Sequence, residues 1–115
     1  MRIIRESDHT TVICRDEPGA GNACHVYEVT HTGYGETSLT GVRFQNGPIH
    51  ENGVNGCQNE DLLVIVADRL QGFQSGNFSC RENAIALTKI QEALMWLEKR
   101  TADRQKRGVE GKSIV

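Results

Sequence analysis

The stretch Ser79-Cys80-Arg81-Glu82-Asn83-Ala84-Ile85-Ala86-Leu87-Thr88-Lys89-Ile90-Gln91-Glu92-Ala93-Leu94-Met95-Trp96-Leu97 decides how the chain folds. Leu87, Ile90, Leu94 and Leu97 fall three and four residues apart, which lines them up along an α-helix and scatters them on a strand. The seam is narrow, of the kind that packs against one other helix, and Ala86 and Ala93 beside it permit close approach. Ser79 with Glu82 three residues on matches a capping box, so the helix is predicted to begin there. Beyond Leu97 the apolar spacing stops, yet no helix breaker precedes Gly108. The helix is expected to run on past its packed part, into solvent or into a partner subunit.

Working back from this helix, Asn59-Glu60-Asp61 sets a capping residue and two acids ahead of an apolar run, the charge sense of a helix N-terminus. The run itself, Leu62-Leu63-Val64-Ile65-Val66-Ala67, suits a buried strand equally well on composition. Leu70 and Phe73 continue the helical period beyond it, which favours helix. Gly72 and then Gln74-Ser75-Gly76-Asn77 mark the end of this helix and the loop after it. Residues 58–115 are thus expected to form an αα-hairpin.

Residues 1–57 have a different texture. Thr11-Val12-Ile13-Cys14 favours strand through three consecutive β-branched residues. His25 to Thr32 is a second strand candidate, with Val26, Glu28 and Thr30 on one face and His25, Tyr27, Val29 and His31 on the other. Ser38 to Gln45 is a third, where Thr40, Val42 and Phe44 share a face. Pro18-Gly19, Gly33, Gly35 and Asn46-Gly47-Pro48 supply turns between them. Three or four short antiparallel strands fit this spacing. The fold class is α+β: a small N-terminal antiparallel sheet followed by a C-terminal two-helix hairpin, in one compact unit. With only Phe44, Tyr27 and Tyr34 as large side chains, the β region buries little by itself, so a homo-oligomer is expected.

Composition excludes several classes. The chain has 115 residues, 13 Lys+Arg against 15 Asp+Glu, a net charge of -2 and 37% hydrophobic residues, within the range of a globular domain. No apolar run approaches the ~20 residues needed to cross a bilayer, and Met1–Asp8 lacks the apolar core of a signal peptide. A soluble protein that is not exported is expected, and the Asn77-Phe78-Ser79 sequon carries no weight without a secretory route. The four cysteines, Cys14, Cys24, Cys57 and Cys80, contain no C-x-x-C pair and read as reduced structural thiols. His9, His25, His31 and His50 show no metal-binding spacing, so no metal is expected.

Charge is the most distinctive feature. Residues 99–112 hold Lys99, Arg100, Arg104, Lys106, Arg107 and Lys112 against Asp103 and Glu110, a net of +4 that leaves -6 on the remainder. A basic end on an acidic protein suits a compact anion better than a long polyanion. Arg100 and Arg104, four apart, share a helix face and could grip phosphates through planar, bidentate donors. A solvated helix end complementing its own dipole accounts for the same residues. Gly19-Ala20-Gly21 begins like a dinucleotide fingerprint, but Cys24 occupies the third glycine position and no helix clearly follows. Gly53-Val54-Asn55-Gly56 precedes a helix N-terminus whose positive end Glu60 and Asp61 already use. Cys24-His25 cannot act as nucleophile and base together, because neighbours on a strand face opposite ways. Phe73 and Trp96 read first as core. Phe73, however, sits beside Gly72 at a helix end, where an aromatic can face a pocket and stack on a base.

Four stretches of the second half, Asn59-Glu60-Asp61-Leu62-Leu63, Asp68-Arg69-Leu70-Gln71-Gly72-Phe73-Gln74, Cys80-Arg81-Glu82-Asn83-Ala84 and Trp96-Leu97-Glu98-Lys99-Arg100-Thr101-Ala102-Asp103-Arg104, resemble the helical-hairpin domain of phage cyclic-nucleotide sponges. The β region, with Phe44-Gln45-Asn46-Gly47-Pro48-Ile49, looks like the Thoeris anti-defence branch of that group, related to the anti-CBASS sponges. The resemblance covers residues 39–111 well and the first 35 loosely, and it rests on the order and spacing of the stretches.

What the resemblance implies is sequestration without catalysis: no catalytic residue, no cofactor, and a site of action in the cytoplasm of an infected bacterial host. Such proteins bind cyclic ADP-ribose isomers made by bacterial TIR-domain enzymes, and some also bind cyclic trinucleotides. By similarity, Phe73 and Arg100 would sandwich the adenine and Asn83 would hydrogen-bond the ligand. Arg104 is added as a phosphate contact from its helix face. Arg43 and the turn Gln45, Gly47, Pro48 and Ile49 would close the pocket from the β side. Assembly as a dimer, or a hexamer of dimers, with pockets shared between subunits is implied as well; a membrane is not. Two rival readings remain: a nucleic-acid-binding phage accessory protein using the basic helix end, and a hydrolase of the same cyclic signal working through Cys24, His25 or His50.

Overall fold

A computed structural model of the chain describes residues 1–35 and 37–115. They form two compact units, Met1–Cys57 and Gln58–Val115. The architecture is α+β, with a four-stranded antiparallel sheet in the first unit and a pair of packed helices in the second. Among the described residues no helix is long and apolar enough to cross a membrane.

The sheet is a meander, β1 (Arg2–Glu6), β2 (Thr10–Cys14), β3 (Val26–His31) and β4 (Ser38–Arg43), each strand pairing with the next. β2, β3 and β4 lie where β-branched content and alternation predict them. β1 was not identified in the sequence because nothing in Arg2-Ile3-Ile4-Arg5-Glu6 alternates. It is an edge strand, exposed throughout, with a register shift between Ile3 and Arg5. Its charged residues blunt an edge that would otherwise template further pairing. Asn46-Gly47-Pro48 does turn the chain, but Pro48 also caps a short helix, α1 (Ile49–Asn52), that the turn signal concealed.

The interior of the sheet unit is small and largely polar. Ile13 and Cys14 are its buried apolar residues, and Thr11, His25 and Thr30 are buried beside them. Thr11 and Thr32 satisfy one another through their hydroxyls at 2.8 Å. Arg15 Nε donates to Glu28 Oε1 at 2.8 Å across β2 and β3. Asp16, just after β2, accepts from the amides of His25 and Val26 and so fixes how the chain enters β3.

In the second unit α2 (Asn59–Gln74) and α3 (Arg81–Arg107) pack together. Their capping differs by one residue from the sequence reading at each start. Gln58, not Asn59, precedes α2, and its amide donates to Asp61 Oδ2 at 2.8 Å. Cys80, not Ser79, caps α3, its Sγ accepting from the Asn83 amide at 3.4 Å, so the Ser79–Glu82 box does not form. A thiol is a poor acceptor and gives no N-cap signal in a sequence.

The seam of α3 is as the periodicity predicts: Asn83, Leu87, Ile90, Ala93, Leu94, Leu97 and Thr101 are its half-buried positions, and Leu62, Leu63, Ala67, Leu70 and Gln74 are half-buried on α2. The line ends on Arg104, which is only 6% exposed. Gly108, at φ 71°, stops the helix in the left-handed conformation that glycine adopts without strain. The chain then turns back. Arg104 Nη2 donates to the carbonyls of Val109 (2.7 Å) and Lys112 (3.0 Å), its Nη1 donates to Ile114, and Glu110 lies 3.6 Å from its Nε. The helix end expected to project into solvent or a partner is therefore wrapped by its own tail.

Three outcomes follow from this packing. A Cβ at Gly56 would lie 2.5 Å from the Phe44 backbone, whereas at Gly72 it would meet nothing within 4 Å. Gly56→Ala should cost about 1–3 kcal/mol of unfolding free energy, and Gly72→Ala should add up to ~1 kcal/mol, both read by chemical denaturation. Arg104→Ala should cost on the order of 2–3 kcal/mol and raise hydrogen exchange across 109–115. Arg104→Lys should not rescue it, because an ammonium cannot fork to several carbonyls. Finally, the Ser38 hydroxyl and the Arg15 guanidinium hold the Glu28 carboxyl below its usual 4.5 against an opposing effect of burial. The stability this contributes is complete above 4.5 and is lost as pH falls through the lower folded value. Glu28→Gln should flatten that part of the acid-unfolding curve.

Candidate functional site

The candidate residues fall in three places. Phe73 lies on the last turn of α2 and Asn83 on the first turn of α3, at the loop end of the hairpin. Gln74 Oε1 accepts from the Cys80 amide at 3.0 Å, which ties the two helix ends together there. Phe73 is 36% exposed, so its ring is available rather than core. One face of it is covered by Arg69, whose guanidinium carbon stands 5.0 Å from the ring centroid. This cation–π pair, one helical turn apart, was missed in the sequence. Its signal was present in Arg69-Leu70-Gln71-Gly72-Phe73, as a cation four residues before an aromatic. Asn83 is half-buried on the seam, and its amide is occupied by the Cys80 cap.

Arg100 is exposed on α3. Seventeen residues separate it from Asn83, roughly 25 Å of helix at about 1.5 Å per residue. Within one hairpin, Phe73 and Arg100 are therefore not brought together; they stand towards opposite ends. Arg104 follows Arg100 by one turn but is buried at the end of the seam, with its terminal nitrogens engaged by tail carbonyls. The phosphate contact read for Arg104 from helix spacing is thereby corrected, because the tail wraps it. Around Arg100 the charge is local: Lys99 pairs with Asp103 at 2.8 Å and holds its carboxyl below the ordinary range.

The third group belongs to the sheet unit. Arg43 ends β4 and lines an open cavity of about 470 Å³ together with Tyr27, Glu28 and Val42. Gln45 is the brace of the 45–57 loop. Its Nε2 donates to the carbonyls of Gly47 (3.1 Å) and Gly53 (2.7 Å), and its Oε1 accepts from the Asn55 amide at 3.0 Å. These bonds hold the Gln45–Ile49 turn in one shape. Gly47, at φ 84°, is needed where it stands, since a Cβ would come within 2.8 Å of Asn52 Oδ1. Pro48 and Ile49 open α1 and are half-buried. Gln45 is thus engaged inside its loop by every polar group of its side chain.

The residues invoked for hydrolysis are disposed differently. His25 is buried, with Nε2 3.1 Å from the Ala20 carbonyl. The Cys24 thiol lies 3.6 Å from the Asp16 carbonyl, and its neighbour Cys14, with burial, pushes its titration upward. Trp96 and Met95, by contrast, are about two-thirds exposed on α3, at 65% and 69%. Trp96 is not core in the single chain.

Comparison with known proteins agrees with this hairpin. Residues 39–102, more than half of the chain, match the model of the Acb2/Tad1 hairpin domain. The chain is also 62% identical over 73 residues to Thoeris anti-defense 1 of Bacillus phage SBSphiJ7, an overlap of 64% of this chain and 51% of that protein. It thus spans about half the length of the relative it matches. The half-buried seam, the Phe73–Asn83 loop end and the exposed Arg100 all lie within the matched span, and the chain belongs to the Acb2/Tad1 hairpin-domain family.

Proposed function

We propose that this chain acts in a phage anti-defence protein that binds and sequesters cyclic nucleotide immune signals inside the infected cell without cleaving them. Cyclic ADP-ribose isomers from TIR-domain enzymes are the proposed ligands, with cyclic trinucleotides as a second class. The observation that carries this reading is the accessible Phe73 ring at the loop end of the hairpin, with Asn83 on the first turn of the next helix and an exposed arginine at the far end. A purine presents a flat π-face to an aromatic, and a guanidinium can lie on its other side.

The roughly 25 Å between Asn83 and Arg100 gives the proposal its form. An adenine stacked between Phe73 and Arg100 needs the two from different copies of the chain, running so that one loop end meets the other's far end. A homo-dimer does this twice by symmetry. The unburied apolar residues Val64, Ile65, Val66, Ile85, Met95 and Trp96 supply a surface for it. Arg69 then stands where a base would enter, and on ligand binding it moves aside to meet the pyrophosphate.

Hydrolysis is disfavoured by the positions of His25 and Cys24. Binding to a long nucleic acid is disfavoured by the partial neutralisation of the basic helix end through Asp103, Glu110 and the tail.

The test is complementation. Phe73→Ala and Arg100→Ala chains should each lose binding of a cyclic ADP-ribose isomer. Unfolded together and co-refolded at equal concentration, they should regain about one quarter of the wild-type sites, since half the dimers are mixed and each has one intact pocket. No recovery, with both variants folded, would mean that the pocket is not shared in this way. Ligand released by heat should be intact; a linear product would make the chain an enzyme. Binding that falls steeply with salt would point to a polyanion instead.

A further inference from the structure

We propose that Cys14, Asp16 and Cys24 form a binding site for a thiophilic divalent cation of the zinc class. They come from the end of β2, the loop after it and the approach to β3, and their ligand atoms all lie within 4.8 Å of one another. Cys14 Sγ is 3.7 Å from Asp16 Oδ1. Tetrahedral zinc, bonded at about 2.3 Å to sulfur and about 2.0 Å to oxygen, sets such atoms roughly 3.5–3.8 Å apart. Closing the cluster onto one ion therefore takes small side-chain movements and no rearrangement of strands.

The carboxylate is already aimed. Asp16 Oδ2 accepts from the His25 amide at 2.9 Å, and Oδ1 accepts from the Val26 amide at 3.1 Å. Backbone donors of this kind orient a metal-binding carboxylate and leave lone pairs for the ion. Both thiols also donate to the Asp16 carbonyl, at 3.4 Å from Cys14 and 3.6 Å from Cys24. Those bonds satisfy the buried Cys14 thiol and the half-exposed Cys24 thiol, but do not account for the charged groups gathered around them. The guanidinium of Arg2 interacts with both sulfurs from β1. On binding, two S–H bonds break, two metal–sulfur bonds form and two protons leave to solvent. Two thiolates, one carboxylate and a dication sum to -1, which Arg2 offsets, so the occupied cluster is neutral.

Two sulfurs to one oxygen select zinc, cobalt or cadmium over magnesium and calcium. His25, whose ring turns to the Ala20 carbonyl, adds no nitrogen. Three protein ligands leave the fourth position to water, and half-exposed Cys24 gives access. The motif escapes a sequence scan because its spacing, Cys14-x-Asp16 and then Cys24, follows the strand ends rather than a zinc knuckle.

Cobalt(II) titration of the wild-type chain, under a phosphine reductant, decides the matter. The expected result is one cobalt per chain, tetrahedral ligand-field bands, and a sulfur-to-cobalt charge-transfer band of two-thiolate intensity that zinc abolishes. Cys24→Ser should weaken binding about tenfold or more, while Cys57→Ser and Cys80→Ser leave it unchanged. Cys24→His, which keeps a metal ligand there, should retain one cobalt with half the charge-transfer intensity. Absence of the band at saturating cobalt would overturn the proposal. So would a band that survives Cys24→Ser undiminished, or one that vanishes with Cys57→Ser.

Discussion

The hairpin is governed by a mismatch in length. α2 has 16 residues and α3 has 27, so roughly 16 Å of α3 extends beyond what α2 can accompany. The seam on α3 does not stop where its partner does; it continues through Thr101 to Arg104 at the same three- and four-residue spacing. Something must cover the end of that line, and the segment after Gly108 does so. A leucine at 104 would give the tail an apolar contact and nothing for its carbonyls. An arginine satisfies several carbonyls at once while burying its stem along the seam. Arg100, one turn earlier and off the line, is left exposed for another purpose.

How far this was legible differs from element to element. Leu87, Ile90, Leu94 and Leu97 announce α3 because one face of a helix repeats in sequence. Thr11–Cys14 and His25–Thr32 announce strands because alternation and β-branching are local properties too. β1 left no such trace, since an edge strand exposed on both faces has no apolar period to display. Arg104 was misread for a related reason. Four-residue spacing places Arg100 and Arg104 near one another on a helix, but which of the two is buried depends on the tail, and that contact is not local. Gln45 looked like a ligand contact and is the brace of its own loop, because hydrogen bonds to Gly53 and Asn55 join residues eight and ten apart. The Cys14–Asp16–Cys24 cluster depends on strand register in the same way.

The two units share a shortage of apolar interior. In the sheet unit Ile13 and Cys14 are the buried apolar residues, and threonines fill places that valine or leucine would take in a larger domain. In the helical unit the continuous run Leu62–Ala67 serves two surfaces. Leu62, Leu63 and Ala67 turn towards α3, while Val64, Ile65 and Val66 stay about half exposed. A helix that is apolar around most of its girth is built to be covered from two sides. One side is provided within the chain. On the reading proposed above, the other is a second copy, and the surface that stabilises the assembly is also what completes the ligand pocket.

That arrangement suits retention better than turnover. In the proposed pocket, stacking on Phe73, a guanidinium from Arg100 and a hydrogen bond from Asn83 would grip a ligand's ground state, and none of them would favour a transition state over it. Cleavage of a cyclic nucleotide would need a base or nucleophile beside the scissile bond and a donor for the charge that develops. The best-placed thiol is instead Cys24, whose titration Cys14 and burial push upward in the sheet unit, and His25 is buried against the Ala20 carbonyl. A pocket divided between two chains adds a further property. Because each half is incomplete alone, ligand binding and association of the chains strengthen one another by linkage. A ligand caught this way leaves only when the contact between copies loosens, which lengthens its residence without any additional group touching it. If the proposed sequestration is the task, slow release counts for more than fast chemistry.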